Sequence, residues 1–328
     1  MPRILTGLQP TGLLHIGNYF GAIEPMVSLQ AEGNENFLFI VDYHAITVPQ
    51  DPKKLREHML FAAAVYLAAG IDPARTTLFQ QSRVPAHTEL AWILDCHAYM
   101  GEMERMTQFK DKAKGKGESV SVGLFVYPIL MAADILLYDI AAVPVGVDQK
   151  QHVELARDLA ERFNRLYGQT FTVPEPKIRA RGARVMGLDD PLKKMSKSAS
   201  SPKNYISLLD DEETIRKKIM SAVTDAGTTI AYDEARPGLA NLLTIFSLVT
   251  QRDVASVEAD YAGKGYADFK RGLAEAVIAF LRPIQTKIRE YQKDEIELKR
   301  ILDTGALRAS ELAEQKMKVV RERIGVTL

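Results

Sequence analysis

Ile4-Leu5-Thr6-Gly7-Leu8-Gln9-Pro10-Thr11-Gly12-Leu13-Leu14-His15-Ile16-Gly17-Asn18-Tyr19-Phe20-Gly21-Ala22-Ile23 decides the fold. Residues 4–8 form an apolar run that predicts a buried strand. Pro10 and Gly12 turn the chain, and the spacing of Tyr19 to Ile23 suits a helix. His15 and Gly17 therefore fall near a helix start. The exposed N–H groups and dipole of such an end attract phosphate. Gly17 has no side chain to hold a flat group away from the backbone. His15 and Asn18, three apart, share a helix face and can reach one ligand.

Downstream, Asn36-Phe37-Leu38-Phe39-Ile40-Val41-Asp42 is a continuous apolar run, the pattern of a parallel strand buried on both faces. Asp51-Pro52 supplies an N-cap and a proline at the first helical position. Gly70 ends that helix, and Thr76-Thr77-Leu78-Phe79 reads as a third strand. Strand–helix–strand alternation at these lengths predicts an α/β fold with a Rossmann-like parallel sheet. Residues 85–109 read as one helix, and Lys110 to Gly117 as a mobile surface loop. Residues 127–137 form an apolar helix carrying one carboxylate, Asp134. Residues 142–146 form another strand and residues 151–167 another helix.

Beyond Pro174 the composition shifts. Lys177, Arg179, Arg181 and Arg184 form a basic run, and from Asp210 on no comparable strand run occurs. Helices are expected from Asp211 to near Ala222, from Pro237, over 267–291 with a kink at Pro283, and over 307–323. The second part is thus an all-helical C-terminal domain. The expected division is 1–190 catalytic, 191–295 helical, and 296–328 a C-terminal helix packing back on the catalytic part.

Acidic and basic side chains balance at 42 each, so no bulk nucleic-acid binder is indicated, although local patches can make phosphate contacts. The single cysteine, Cys96, excludes an intrachain disulfide framework and all-Cys metal sites, and reads as a small core residue. No signal peptide and no apolar run of membrane-spanning length are recognised, so a cytoplasmic location is expected. No Gly-x-Gly-x-x-Gly follows a strand, and there is no phosphate-loop lysine motif, which disfavours a dehydrogenase and a P-loop ATPase. No metal-ligand spacing occurs. What remains is a strand–turn–helix bearing His15 and a distant polar segment, Lys194-Met195-Ser196-Lys197-Ser198. Each alone could be structural, the histidine satisfied at a junction and the lysines solvated. Together they suit phosphoryl chemistry governed by positioning and charge neutralisation.

Residues 9–18 and 194–198 resemble the two signature sequences of class I aminoacyl-tRNA synthetases, and the text around His15 is similar to the tryptophanyl branch. The resemblance covers nearly the whole chain. It implies activation of L-tryptophan by ATP to tryptophanyl-adenylate, then transfer to tRNA(Trp). It implies that Gln9, Pro10, Thr11, Gly17 and Asn18 line the ATP site together with Gly146, Val147, Asp148 and Val185. His15 would hydrogen-bond the phosphates. Lys194 and Lys197, in a loop with Met195, Ser196 and Ser198, would neutralise pyrophosphate. Mg²⁺ would be bound mainly through ATP. The lone carboxylate of Asp134 fits an acceptor for the indole N–H. Met131, Val143 and Val145 would form apolar walls, completed by Tyr127, His44 and Gln149. Leu5 stands where some members have an aromatic. Family members are homodimers, and residues 85–109 carry surplus apolar surface for such an interface. The rival readings are a tyrosyl-tRNA synthetase, a small nucleotidylyltransferase and a non-catalytic RNA-binding paralogue.

Overall fold

A computed structural model describes the chain apart from residues 1–2, 11, 13, 32, 116, 147–148, 179–183 and 197–200, and the side chains of 31, 118, 144–145 and 177–178. Strand β1 (Arg3–Leu8) leads through a turn into α1 (Ile16–Asn18), a π-helical stretch (Tyr19–Ile23) and α2 (Glu24–Ala31). β2 (Glu35–Ile40) follows, then α3 (Asp42–Ala45), α4 (Pro52–Ala68) and β3 (Thr76–Gln80). These strands form a parallel sheet in the order β1-β2-β3, with Leu5 beside Phe37 and Phe37 beside Thr77. Asp51 caps α4 by accepting the Lys54 N–H at 2.9 Å.

The next helices are α5 (Ala86–Asp95), α6 (Met100–Glu104), α7 (Thr107–Ala113) and α8 (Val122–Leu136). β4 (Ala142–Val145), α9 (Lys150–Tyr167) and β5 (Glu175–Ile178) complete the α/β part. β4 and β5 pair in parallel, and β4 lies against β1. Then come α10 (Glu212–Met220), α11 (Pro237–Thr250), α12 (Val254–Asp260), α13 (Tyr266–Lys293) and α14 (Glu295–Ile324).

β2 explains how the core is divided. Side chains alternate across a strand, and β2 is buried on both sides. Leu38 and Ile40 join a cluster with α4, α11 and α13, whereas Phe37 and Phe39 join one with α5, α8, α9 and α14. The C-terminal helices therefore share a core with the sheet. α14 comes so close to β3 that a Cβ on Gly305 would lie 1.9 Å from the Leu78 carbonyl oxygen. Only glycine permits that approach.

Four expectations need correction. The segment 85–109 is not one helix. α5 ends at Asp95, and α6 starts afresh with the Tyr99 N–H donating to the Glu102 carboxylate at 3.1 Å. Residues 110–113 are helical, not loop, as the last turn of α7. The last helix starts at Glu295 rather than near 307, because Asp294 caps it by accepting the Glu297 N–H at 2.9 Å. Cys96 is exposed, not core. Pro283 sits inside α13 without ending it.

Candidate active site

The His15 turn is locked by its own side chains. His15 has an extended backbone (φ −123°) and caps α1. Its Nδ1 accepts the Asn18 N–H at 3.3 Å, and the Asn18 Oδ1 accepts the His15 N–H at 3.1 Å. This is a reciprocal capping box with histidine in the usual hydroxyl role. Since Nδ1 accepts, the proton of the neutral imidazole resides on Nε2. The π-helical stretch that follows is of a kind often found at functional sites.

The second signature segment is built onto the first. The Ile16 N–H donates to the Ile206 carbonyl at 3.0 Å, and the Leu208 N–H to the Leu14 carbonyl at 2.9 Å. The Met195 N–H donates to the Val185 carbonyl at 3.1 Å, and the Ser196 N–H to the Asn204 Oδ1 at 3.0 Å. Met195 and Val185 are buried in the core that holds Ile16. A Cβ on Gly17 would stand 3.5 Å from the Met195 Cβ and 3.0 Å from the His15 ring. Two segments far apart in sequence thus meet at Gly17. Lys194 is exposed, with its backbone bridged to Met186.

At the carboxyl ends of β1 and β2 lies a cavity of about 400 Å³. Ligands in open α/β sheets bind at this edge. Asp134, on α8, is on its wall and is only 2 % exposed. Its Oδ1 accepts from Gln81 Nε2 at 2.8 Å and from His87 Nδ1 at 2.6 Å, and its Oδ2 pairs with His44 Nε2 at 2.9 Å. Burial alone would push this carboxyl up. Hydrogen bonds from His44 and His87 outweigh it and hold the group below the usual carboxylate range. Asp42 fixes both donor-bearing segments. Its carboxylate accepts from Gln80 Nε2 at 2.7 Å and from the Ser82 N–H at 3.0 Å, tying α3, which carries His44, to the turn carrying Gln81. Tyr127 lies near the cavity mouth with the Lys112 ammonium 4.4 Å from its ring centroid. Its phenol bonds to His152 Nε2 at 3.1 Å, and burial pushes its ionisation up to about 12.

Residues 1–282 match the family model described as tRNA synthetases class I (W and Y). The chain belongs to that family. As a class I synthetase it is an ATP-dependent ligase of the aminoacyl-tRNA synthetase type. Curated relatives include the tryptophan–tRNA ligase of Listeria monocytogenes, 56% identical over 324 residues (98% of this chain, 97% of the relative). That of Bacillus subtilis is 53% identical over the same shares. Among solved structures, the tryptophanyl-tRNA synthetase of Campylobacter jejuni complexed with ADP and tryptophan aligns with a TM-score of 0.87 at 44% identity, covering 98% of this chain and 99% of that one. A tyrosyl-tRNA synthetase from Aeropyrum pernix aligns at 0.66 with 22% identity, covering 92% and 89%, which is a likeness of fold alone.

Within this synthetase the cavity gathers Gln9, His44, Tyr127, Met131, Asp134, Val143, Gly146 and Gln149. Leu5 lines it too, in the position where an aromatic was noted in some members. Pro10, His15, Asn18 and Val185 lie outside its lining, at or beside the two signature segments. Thr11, Val147, Asp148, Lys197 and Ser198 fall outside the described residues, as does the Val145 side chain. Sequence reasoning missed Gln81, His87 and Lys112. For Gln81 a signal existed: Gln80-Gln81-Ser82 is a polar tail at the carboxyl end of an apolar strand, where ligands bind. His87, in Pro85-Ala86-His87-Thr88-Glu89, carries no such local signal.

Proposed function

We propose that this synthetase activates L-tryptophan with MgATP and transfers it to tRNA(Trp). The amino acid carboxylate oxygen attacks the α-phosphorus, the bond to the bridging oxygen breaks, and pyrophosphate leaves. A terminal ribose hydroxyl of the tRNA then attacks the acyl carbon, and AMP departs. The observation that carries the substrate reading is Asp134, an ionised acceptor on the wall of an otherwise largely apolar cavity. It offers an oxygen to the indole N–H, while Met131 and Val143 bound the ring. Relatives across the full length that bear the tryptophan–tRNA ligase name support tryptophan over tyrosine.

His15, with its proton on Nε2, is suited to donate to phosphate oxygens as charge builds. Gln9, Pro10, Thr11, Gly17, Asn18, Gly146, Val147, Asp148 and Val185 are assigned to the ATP site. Lys194 and Lys197 neutralise departing pyrophosphate, and Met195, Ser196 and Ser198 are assigned to the same ATP-binding segment. Mg²⁺ arrives with ATP. The 191–295 portion meets the anticodon end of the tRNA, and the protein acts in the cytoplasm. The working unit is a homodimer joined through the α5–α6 face, where Trp92, Tyr99 and Met100 are 70, 60 and 66 % exposed. Apolar area of this kind marks interaction surfaces. Pyrophosphate exchange into ATP, measured with each of the twenty amino acids, tests the substrate. Tryptophan alone should support it, and exchange driven equally by tyrosine would overturn the reading.

A further inference from the structure

Two buried residues stand behind Asp134, outside the cavity lining. His87 and Tyr138 are both fully buried. The Tyr138 hydroxyl lies 2.9 Å from His87 Nε2, and His87 Nδ1 lies 2.6 Å from Asp134 Oδ1. The direction of these bonds follows from chemistry. Burial, and then the Asp134 charge, raise the Tyr138 ionisation well above its ordinary value, so the phenol keeps its proton. Among the described residues its acceptor is His87 Nε2. That nitrogen therefore carries the lone pair, and Nδ1 carries the hydrogen that reaches Asp134. The imidazole stacks on Phe39, with ring centroids 5.8 Å apart and planes at 18°, and is tilted against Phe79 at 6.1 Å; the two phenyl rings, 5.3 Å apart, form one apolar wall beside it.

The carboxylate can be audited in the same way. An ionised carboxylate oxygen takes about two donors. Oδ1 has Gln81 and His87 and is filled. Among the described residues Oδ2 has His44 alone, so one acceptor position is left. The Gln81 amide is turned so that its N–H faces Asp134, although this leaves its Oε1 buried with no hydrogen-bond partner among the described residues. An orphaned buried acceptor costs about 1–3 kcal/mol. Donors are being directed at this carboxylate against a local penalty.

We infer that Tyr138 and His87 are positioning residues for substrate selection: the phenol fixes the imidazole in the tautomer that donates to Asp134, and this keeps the carboxylate turned so that one Oδ2 position faces the indole N–H. The inference rests on the reading that Asp134 receives that N–H. It extends the specificity determinant from one residue on the cavity wall to a three-residue chain running into the core.

The test uses the full chain in pyrophosphate exchange with two amino acids, L-tryptophan and β-(3-benzothienyl)-L-alanine, in which sulfur replaces the indole N–H. Tyr138→Phe should lower the tryptophan-to-analogue ratio of kcat/KM about 10-fold, the scale of one charge-assisted hydrogen bond. The loss should fall on the tryptophan KM, with the ATP KM unchanged. His87→Asn keeps an amide donor where Nδ1 stood and has no tautomers, so it should hold the ratio within about threefold. In that background Tyr138→Phe should add nothing. Equal losses for both amino acids in Tyr138→Phe would overturn the inference. So would a full Tyr138→Phe effect on top of His87→Asn. Asp134→Ala separates the two levels: collapse of its ratio with Tyr138→Phe unaffected removes the positioning role alone, and an unchanged ratio in Asp134→Ala removes the indole reading as well.

Discussion

Nδ1 of His15 accepts the backbone N–H of Asn18 at 3.3 Å, and the Asn18 carboxamide returns the bond to the His15 N–H. The pair caps the helix and at the same time sets which ring nitrogen carries the proton. Asn18→Ala removes one half directly and loosens the other. Loss of an N-terminal cap costs about 0.5–2 kcal/mol. The variant should unfold at lower urea and show a larger proportional fall in kcat for pyrophosphate exchange than in tryptophan affinity. An unchanged kcat would separate the cap from the chemistry.

Asp134 should make stability pH-dependent in one direction. Its folded-state ionisation lies below that of an unfolded aspartate, about 3.9. The stabilisation it brings is thus fully present above that value and is lost as pH falls through the lower, folded one. Urea midpoints of the wild type and Asp134→Asn, compared from pH 6 downward, should converge in acid. A gap that stays constant down to pH ~2.5 would mean that the folded carboxyl titrates like an unfolded one, and a wild type that gains on the variant as pH falls would mean that the carboxyl is protonated in the native protein.

Lys194 projects from the segment whose next residue, Met195, is packed beside Gly17. Anchoring by Met195 keeps the flanking lysine close to the start of the His15 helix, where the phosphates are proposed to bind. Losing one charge-stabilising donor generally costs about 10²–10³ in rate. Lys194→Ala should show that loss in single-turnover adenylate formation, with tryptophan binding nearly intact. Normal single-turnover formation would remove Lys194 from the proposed machinery. Lys197→Ala is expected to behave alike.

Trp92 is the only tryptophan in the chain and is 70 % exposed. It therefore reports on the α5–α6 face. If that face joins two copies, dilution should shift its emission to longer wavelength as the ring meets water. Trp92→Asp should give a monomer by sedimentation at micromolar concentration. A wild-type chain that sediments as a monomer with full charging activity would refute the dimer.

How much of this was legible varied with how local the signal was. The β1–turn–helix unit, the buried β2 run and the Asp51-Pro52 start all follow from neighbours in sequence, and the structure has them. The start of α14 was missed because the role of Gly305, whose missing side chain lets the helix settle on β3, comes from a contact distant in sequence. Cys96 was misplaced because the segment was read as one helix. The break after Asp95 puts it on the surface. For the site, Asp134 stood out as a lone carboxylate in an apolar helix, whereas His44 came only from the family resemblance. His87 and Tyr138 were not legible, because their meaning lies in a hydrogen-bond chain between segments 51 positions apart.

The seating of α14 on β3 also has a consequence for how the chain is made. Arg83, just past β3, pairs with Asp303 across 220 residues of sequence. At 5–20 residues per second, a ribosome needs about 10–45 s to deliver the helix that covers this face of the sheet. For that interval Leu78 and Phe79 belong to a sheet lacking one wall. Nascent chains arrested before Glu295 should be protease-sensitive around β3, and chains extended through the thirty residues of α14 should lose that sensitivity. The first three strands of this enzyme wait for a helix translated more than 200 residues later to close one face of their sheet.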